Sequence, residues 1–347
     1  MNAFLQILAA PVSAVYAAVM HVRNWMYQNS ILKSHKVSIP TICVGNLAVG
    51  GTGKTPHVEY ILRLLTPHYR VAVLSRGYKR KTHGFVLADE NANAALIGDE
   101  AMQIHAKFPQ GTVAVCEDRV TGVHRLMDLY SDLQVVVLDD AYQHRRLQCG
   151  FYLLLTAHDR LYVDDHFLPL GRLRDTRDQY ARASAVVVTK CPTGMKPIDR
   201  RIIGNKLHLP PVKPLYFSHI AYPSIAPQMM NMDANAPVVV LAGIAHPEYL
   251  LEHIQSTYPQ ARLMAFPDHH AFSPSDVTRI EKAAESVQRV FTTEKDYTRL
   301  QLLPLSQALC DKLYALPIHV QIADHTALDE QILQYVKNNL PSSKRKK

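Results

Sequence analysis

The chain has 347 residues, 48% of them hydrophobic, and carries 38 Lys and Arg against 30 Asp and Glu for a formal charge of +8. With a mean hydropathy near zero, it has the length and balance of one large or two ordinary soluble domains, which excludes a polytopic membrane protein and a disordered chain. The five cysteines are scattered without a C-x-x-C pair, which excludes a disulfide framework and a structural zinc site and fits reduced thiols in a cytoplasmic protein.

The positive charge and the basic tail at 341–347 favour anionic partners such as phosphorylated substrates or an anionic membrane surface. A simply solvated tail fits the last residues equally. No aromatic-rich RNA platform and no helix-turn-helix pattern is present, so nucleic acid is not expected as a partner.

Residues 1–30 contain no acid, and no basic residue precedes His21 and Arg23, so the charged start of a secretory signal is missing. Asn2, Gln6, Pro11 and Ser13 interrupt what would otherwise approach the length of a spanning helix. From Pro11 onward Val12, Val15, Val19 and Met26 recur at roughly helical spacing, joined by Tyr16, Met20 and Trp25. The pattern predicts a helix with a wide apolar face that either packs on the core or lies in a membrane interface, and does not span.

Short β-branched runs follow at 37–46, 70–75, 112–116, 133–140, 151–156 and 184–190, alternating with helical stretches. Continuous apolar runs of this kind predict strands buried on both faces. The fold class expected is α/β, a P-loop NTPase-like, mainly parallel sheet over 31–207. The Pro-rich 208–217 reads as a linker, and runs at 236–244, 261–266, 289–295 and 319–323 predict a second, smaller α/β domain over 218–340.

"CVGNLAVGGTGKTPHVEYILRLL" (43–65) places a glycine-rich loop between a strand and a helix. Gly50, Gly51, Thr52 and Gly53 would let backbone N–H groups close on phosphates. Lys54 would supply charge, and the Thr55 hydroxyl could ligate Mg²⁺. The loop's usual first glycine is Ala48 here. "VVVLDD" (135–140) has the form of a strand ending in acids, so that Asp139 or Asp140 could hold Mg²⁺ beside the loop. In "LIGDEA" (96–101), Asp99 and Glu100 precede a helix, where Asp99 is either functional or a helix cap. "VVVTK" could be a base-contacting strand end, but Cys191 and Pro192 follow it and give guanine specificity no support. "PDHHAF" (267–272) clusters Asp268, His269 and His270, which could orient a base, act as one, bind metal or cap a turn.

Taken together, "VGNLAVGGTGKTP", "LSRGYKRK" (74–81), "IGDEA", "DDAYQH", "LPLGRLRD" (168–175), "VVVTK", "FPDHHAF" and "TTEKDYTRL" (292–300) resemble the tetraacyldisaccharide 4'-kinase family of lipid A assembly. The resemblance implies a P-loop fold with a smaller C-terminal α/β domain. It implies transfer of the ATP γ-phosphate to the 4'-hydroxyl of a tetraacyl disaccharide 1-phosphate, giving lipid IVA at the cytosolic face of the inner membrane. No protein partner is implied, and the N-terminal helix would dip into the bilayer.

Carried over residue by residue, the resemblance assigns the P-loop lysine and threonine to Lys54 and Thr55 and the catalytic base to Asp99. It places Glu100 near Mg²⁺, makes Asp139 and Asp140 the acids after the strand, and puts the base's partner histidine at His269 or His270. Asn24, Tyr78, Arg174 and Asp175 match positions near the lipid substrate. The chain departs from the family at Ala101, where a proline is usual, at Ala141, where a glycine is usual, and at Asp175, one methylene shorter than the usual Glu. A switch ATPase of the partitioning or division-placement class is the rival reading. That class carries a lysine just before the double glycine, where this chain has Val49.

Overall fold

The computed structural model describes residues 3–244, 247–268 and 270–341. They form two compact units, one built from the chain up to Ile220 and again from Val320 onward, the other from Ala221–His319.

The first unit opens with α1 (Ala3–Gln28), β1 (Thr41–Asn46), α2 (Lys54–Leu65), β2 (Val71–Ser75), β3 (Val86–Leu87), α3 (Ala94–Ile97), α4 (Asp99–Lys107) and β4 (Thr112–Val115). It continues through α5 (Arg119–Leu129), β5 (Val135–Asp139), β6 (Phe151–Ala157), β7 (Ala185–Thr189), α6 (Pro197–Leu207) and β8 (Leu215–Ala221). The second unit holds α7 (Pro227–Met230), β9 (Val238–Ala242), α8 (Pro247–Gln255), β10 (Arg262–Ala265), α9 (Pro274–Glu285), β11 (Arg289–Thr293), α10 (Glu294–Leu300), α11 (Gln307–Lys312) and β12 (Leu313–Leu316). The chain then returns to the first unit as β13 (His319–Ala323) and α12 (His325–Asn339).

The first sheet runs β13-β8-β7-β6-β1-β5-β2-β4-β3. The pairings among β8, β7, β6, β1, β5, β2 and β4 are parallel, and β3 is antiparallel to β4. Both faces are covered, which is why the strands read as unbroken apolar runs. Ile42 and Val44 of β1 pack with Val58, Ile61 and Leu65 of α2, while Cys43 between them packs with Val123 and Leu126 of α5. In α2 the buried positions recur three and four apart, the stripe that turns an amphipathic helix onto a sheet.

Two boundaries differ from the sequence reading. Leu215–Phe217, expected in a linker, are strand residues paired with Val186–Val188 of β7. The prolines at 210, 211 and 214 stop just short of them. The run 319–323, expected in the second domain, forms the β13 edge of the first sheet. Leu328, Ile332 and Val336 of α12 are fully buried in the same cluster as α2. At about 1.5–3 kcal/mol for each fully buried aliphatic side chain, these three hold the C-terminal helix in the first unit. The basic tail from 342 onward lies outside the described residues.

Helix α1 docks through a mixed set of contacts. The Ser13 hydroxyl donates to Phe167 O at 2.8 Å, the Tyr16 hydroxyl to Arg174 O at 3.2 Å, and Arg23 to Gln143 O at 2.6 Å, while the rings of Tyr16 and His21 lie against Phe167 and Met20 is buried. Its valines point outward. No helix among the described residues is long and apolar enough to cross a membrane.

The second unit is a four-stranded parallel sheet, β10-β9-β11-β12, with one apolar cluster on each face. The smaller α/β unit is therefore an insertion between β8 and β13.

Candidate active site

Strand β1 lies directly beside β5, with Val44 opposite Asp139, so the loop leaving β1 passes the acidic end of β5. Gly50 and Gly53 have φ of 112° and 78°, left-handed backbone that glycine adopts without strain. Gly53 is the N-cap of α2 and no side chain caps the helix, so the loop leads into an uncapped helix start of the kind that binds anions.

Side chains brace this loop from three directions. Asn46 donates to the Thr52 hydroxyl at 2.7 Å, and Thr189 donates to Thr52 O at 3.0 Å. The buried His57 donates through Nδ1 to Gly53 O at 2.7 Å and accepts at Nε2 from Ser218 at 3.0 Å. Ala48 forms an antiparallel bridge with Leu173, and Val49 N–H donates to Arg172 O at 2.7 Å. Glycine's absence at 48 is therefore harmless, because the position is extended backbone rather than a left-handed turn.

The acids converge beside the loop. Asp139 is 0% exposed and neither of its carboxylate oxygens has a hydrogen-bond partner. Burial, then the charges of Glu100 and Asp140, push its carboxyl up to about 8, against the pull of Lys54 and Arg119. Asp140, at a left-handed φ of 48°, behaves oppositely. Burial works against its ionisation, but Arg174 and then Lys54 outweigh it and hold the carboxyl below its usual range. Lys54 Nζ lies 3.7 Å from Asp140 Oδ2. Arg174 clamps Asp140 through both guanidinium nitrogens, one of which also donates to Asn46.

A buried carboxylate without donors, flanked by hard oxygen ligands and the first turn of α2, fits a divalent cation better than any state the protein reaches alone. Among the described residues no group of three or more His, Cys, Asp or Glu is assembled to hold a metal.

Asp99 is the first residue of α4 and Gly98 is the N-cap, so the capping alternative for Asp99 does not hold. Gly98 has φ 85°, and a Cβ there would come within 2.8 Å of Tyr78 O. This glycine lets the start of α4 press against the segment that carries Tyr78, whose side chain is 67% exposed.

Three residues expected at the lipid substrate are engaged inside the unit instead. Arg174 is spent on Asp140. Asn24 and Asp175 are 3% and 0% exposed, and Asn24 donates to Asp175 Oδ1 at 2.8 Å and to Thr176 at 2.9 Å. In this arrangement they tie α1 to the Arg174 loop.

In the second unit His270 Nε2 donates to Asp276 Oδ2 at 3.0 Å, and its ring packs on Phe266 and Phe272. Hydrogen bonds from Ser273 and His270 hold the Asp276 carboxyl down at about 2. His269 lies outside the described residues.

The family model for tetraacyldisaccharide-1-P 4'-kinase matches residues 5–337. The chain belongs to this family. The tetraacyldisaccharide 4'-kinase of Flavobacterium johnsoniae is 43% identical, covering 98% of this chain and 99% of its own. That of Bacteroides thetaiotaomicron is 42% identical, covering 96% and 94%. The crystal structure of LpxK from Aquifex aeolicus, described as an "apo" form in complex with ATP, superposes with a TM-score of 0.74 at 26% identity, covering 96% of this chain and 99% of that one. The chain is accordingly a lipid A 4'-kinase, an enzyme of the phosphotransferase class, and the chain-long match displaces the switch-ATPase alternative.

The kinase site also holds cations that sequence reading missed. Arg172 Nη1 lies 3.6 Å from where a Cβ on Gly50 would sit, and Lys190 Nζ 3.8 Å from the equivalent point on Gly51. Lys190 ends the "VVVTK" run, at the C-terminal end of β7. Arg119, buried at the start of α5, donates to Cys116 O and Glu117 O and bears electrostatically on both acids. The one local signal for it is the helix cap Asp118 just before it.

The Arg119 N–H donates to His144 Nε2 at 3.2 Å. Burial, and then Arg119, push the His144 imidazole down to about 4. An unfolded chain takes up this proton near the usual 6.5. The neutral ring's contribution is therefore complete above pH 6.5 and lost as pH falls toward 4, with a limiting slope of about 1.4 kcal/mol per pH unit. In urea denaturation, His144→Gln, which keeps an acceptor, is expected to lose less stability over that interval than the parent enzyme. An unchanged pH profile would refute the assignment.

Proposed function

We propose that this kinase uses ATP and Mg²⁺ to phosphorylate the 4'-hydroxyl of a tetraacyl disaccharide 1-phosphate, with Asp99 as the base. The observation that carries the reading is the convergence of Lys54, Asp139, Asp140 and Glu100 at the end of β5 beside one glycine-rich loop. Gly50, Gly51, Thr52 and Gly53 cradle the phosphates with backbone N–H groups, and Lys54 turns from Asp140 toward the β/γ oxygens. Thr55, Glu100, Asp139 and Asp140 would supply the oxygens that hold Mg²⁺, directly or through its water. When bound, the ion supplies neutralisation of the phosphate charge. Arg172 and Lys190 add positive charge at the loop.

Asp99 is the first residue of α4, directly before Glu100. It takes the proton of the attacking hydroxyl as the oxygen bonds to the γ-phosphorus and ADP leaves. The assisting role implied by the family belongs to His269 or His270, of which His270 donates to Asp276.

The outward face of α1 supports delivery of an acylated substrate from an anionic membrane surface, at the cytosolic face of the inner membrane. Val12, Val15, Val19, Val22 and Trp25 are each 55–65% exposed on this helix. A continuous apolar stripe held outward fits insertion into the interfacial region of a bilayer.

Labelled ATP incubated with the acylated disaccharide 1-phosphate should place label on the lipid, and ATP hydrolysis without lipid product would refute the reading. Asp99→Asn is expected to lower kcat by about 10²-fold or more, the usual worth of a general base, while nucleotide affinity stays within about twofold. Flotation with anionic phospholipid vesicles tests the helix. The double substitution Val15→Asp and Val19→Asp should abolish co-flotation while sparing activity on detergent-dispersed acceptor, and undiminished flotation would contradict the membrane role.

A further inference from the structure

Glu59 is an acid in the middle of α2, on the helix face turned to the core, and is 0% exposed. Its Oε2 lies 2.7 Å from Lys107 Nζ and 3.0 Å from Arg63 Nη2, and its Oε1 accepts from Gln103 Nε2 at 3.1 Å. Arg63 is one turn further along α2. Gln103 and Lys107 are on α4, one and two turns beyond Asp99.

The two helices joined in this way are the two that begin at the chemistry. Helix α2 opens on Lys54 and Thr55, and α4 opens on Asp99 and Glu100. Glu59 lies about 7 Å along the axis from Lys54, at 1.5 Å of rise per residue. A buried ion pair of this kind is poor evidence for stability, because desolvation consumes most of its attraction and an apolar pair of similar volume serves as well or better. What it supplies that apolar packing does not is a directional tie between particular positions on two helices. Helices packed by ridges and grooves can otherwise settle in neighbouring registers. A shift of about 1 Å between a base and a bound phosphate is enough to cost about 10²-fold in rate.

We propose that Glu59 is a positioning residue for phosphoryl transfer. By holding Gln103 and Lys107 it sets the axial register of α4 on α2, and so the placement of the Asp99 carboxylate relative to the phosphate-binding Lys54. The proposal rests on the assignment of Asp99 as base. It concerns alignment between donor and acceptor, not the binding of either, so the nucleotide loop keeps its affinity when the tie is cut.

The test compares the parent enzyme, Glu59→Gln, Lys107→Met and the double variant Glu59→Met/Lys107→Met. Each is assayed for lipid phosphorylation, for binding of a fluorescent ATP analogue and for thermal unfolding. Phosphorylation by the parent enzyme establishes the reaction independently, and its failure would fall on the assigned function rather than on Glu59. The expected result is a kcat at least 10-fold lower in each single variant, with nucleotide affinity within twofold of the parent. In the double variant the unfolding midpoint should return to that of the parent or rise above it while kcat stays low. Should Glu59→Gln not fold, Lys107→Met carries the same comparison. Unchanged kcat in a folded single variant overturns the proposal. So does a fall in kcat that tracks nucleotide affinity and unfolding midpoint together, or full recovery of kcat in the apolar double variant.

Discussion

Two adjacent carboxylates at the end of a solvent-free strand must be balanced, and the layout of the first unit follows from that requirement. Asp139 is fully buried without a donor, and Asp140 turns into left-handed backbone. Unpaired charge in such a place is costly. The chain brings cations to it from three separate elements: Lys54 from the start of α2, Arg119 from the start of α5, and Arg174 from the loop after β6. This balance is incomplete, since the Asp139 carboxyl is still pushed up to about 8. On the proposed reading, a divalent cation bound with the nucleotide would fill the remaining deficit.

The same loop carries the connection to α1. Arg174 faces the acids, and its neighbour Asp175 faces away from them and binds Asn24 of α1. One short segment therefore ties the helix with the outward valines to the phosphate-binding end of the sheet. The shorter side chain at 175 is no handicap in this role, because its carboxylate reaches Asn24 and its own neighbour Thr176 without crossing open space. The docking of α1 joins hydrogen bonds of Ser13 and Asn24 to ring contacts of Tyr16 and His21 on Phe167, and leaves its valines exposed.

Much of this was legible in the sequence. The strand–loop–helix at 43–65 and the acids ending 135–140 announce themselves through local rules, namely glycine at positive φ and an apolar run ending in charge. What could not be read depends on pairing between distant segments. The HVQIA run at 319–323 looks like any half-buried strand, and only its place beside β8 assigns it to the first sheet. The prolines before 215 suggested a linker, yet proline can stand immediately before a strand without interrupting its ladder. Asn24, Arg174 and Asp175 were picked out by motif, but their engagement with one another and with Asp140 spans well over a hundred residues in places. Glu59 breaks the apolar pattern of α2 in plain sight. Its meaning needs Gln103 and Lys107, more than 40 residues away.

On the proposed reading the metal–nucleotide complex completes the buried β5 acids. Calorimetric titration with ATP, in the presence of Mg²⁺ and in excess chelator, on the parent enzyme and on Asp140→Asn measures this. At least a tenfold advantage of Mg²⁺·ATP over metal-free ATP is expected in the parent. In Asp140→Asn that advantage should be largely lost, while metal-free ATP binds more tightly because Lys54 is released. An equal metal advantage in both proteins would contradict it.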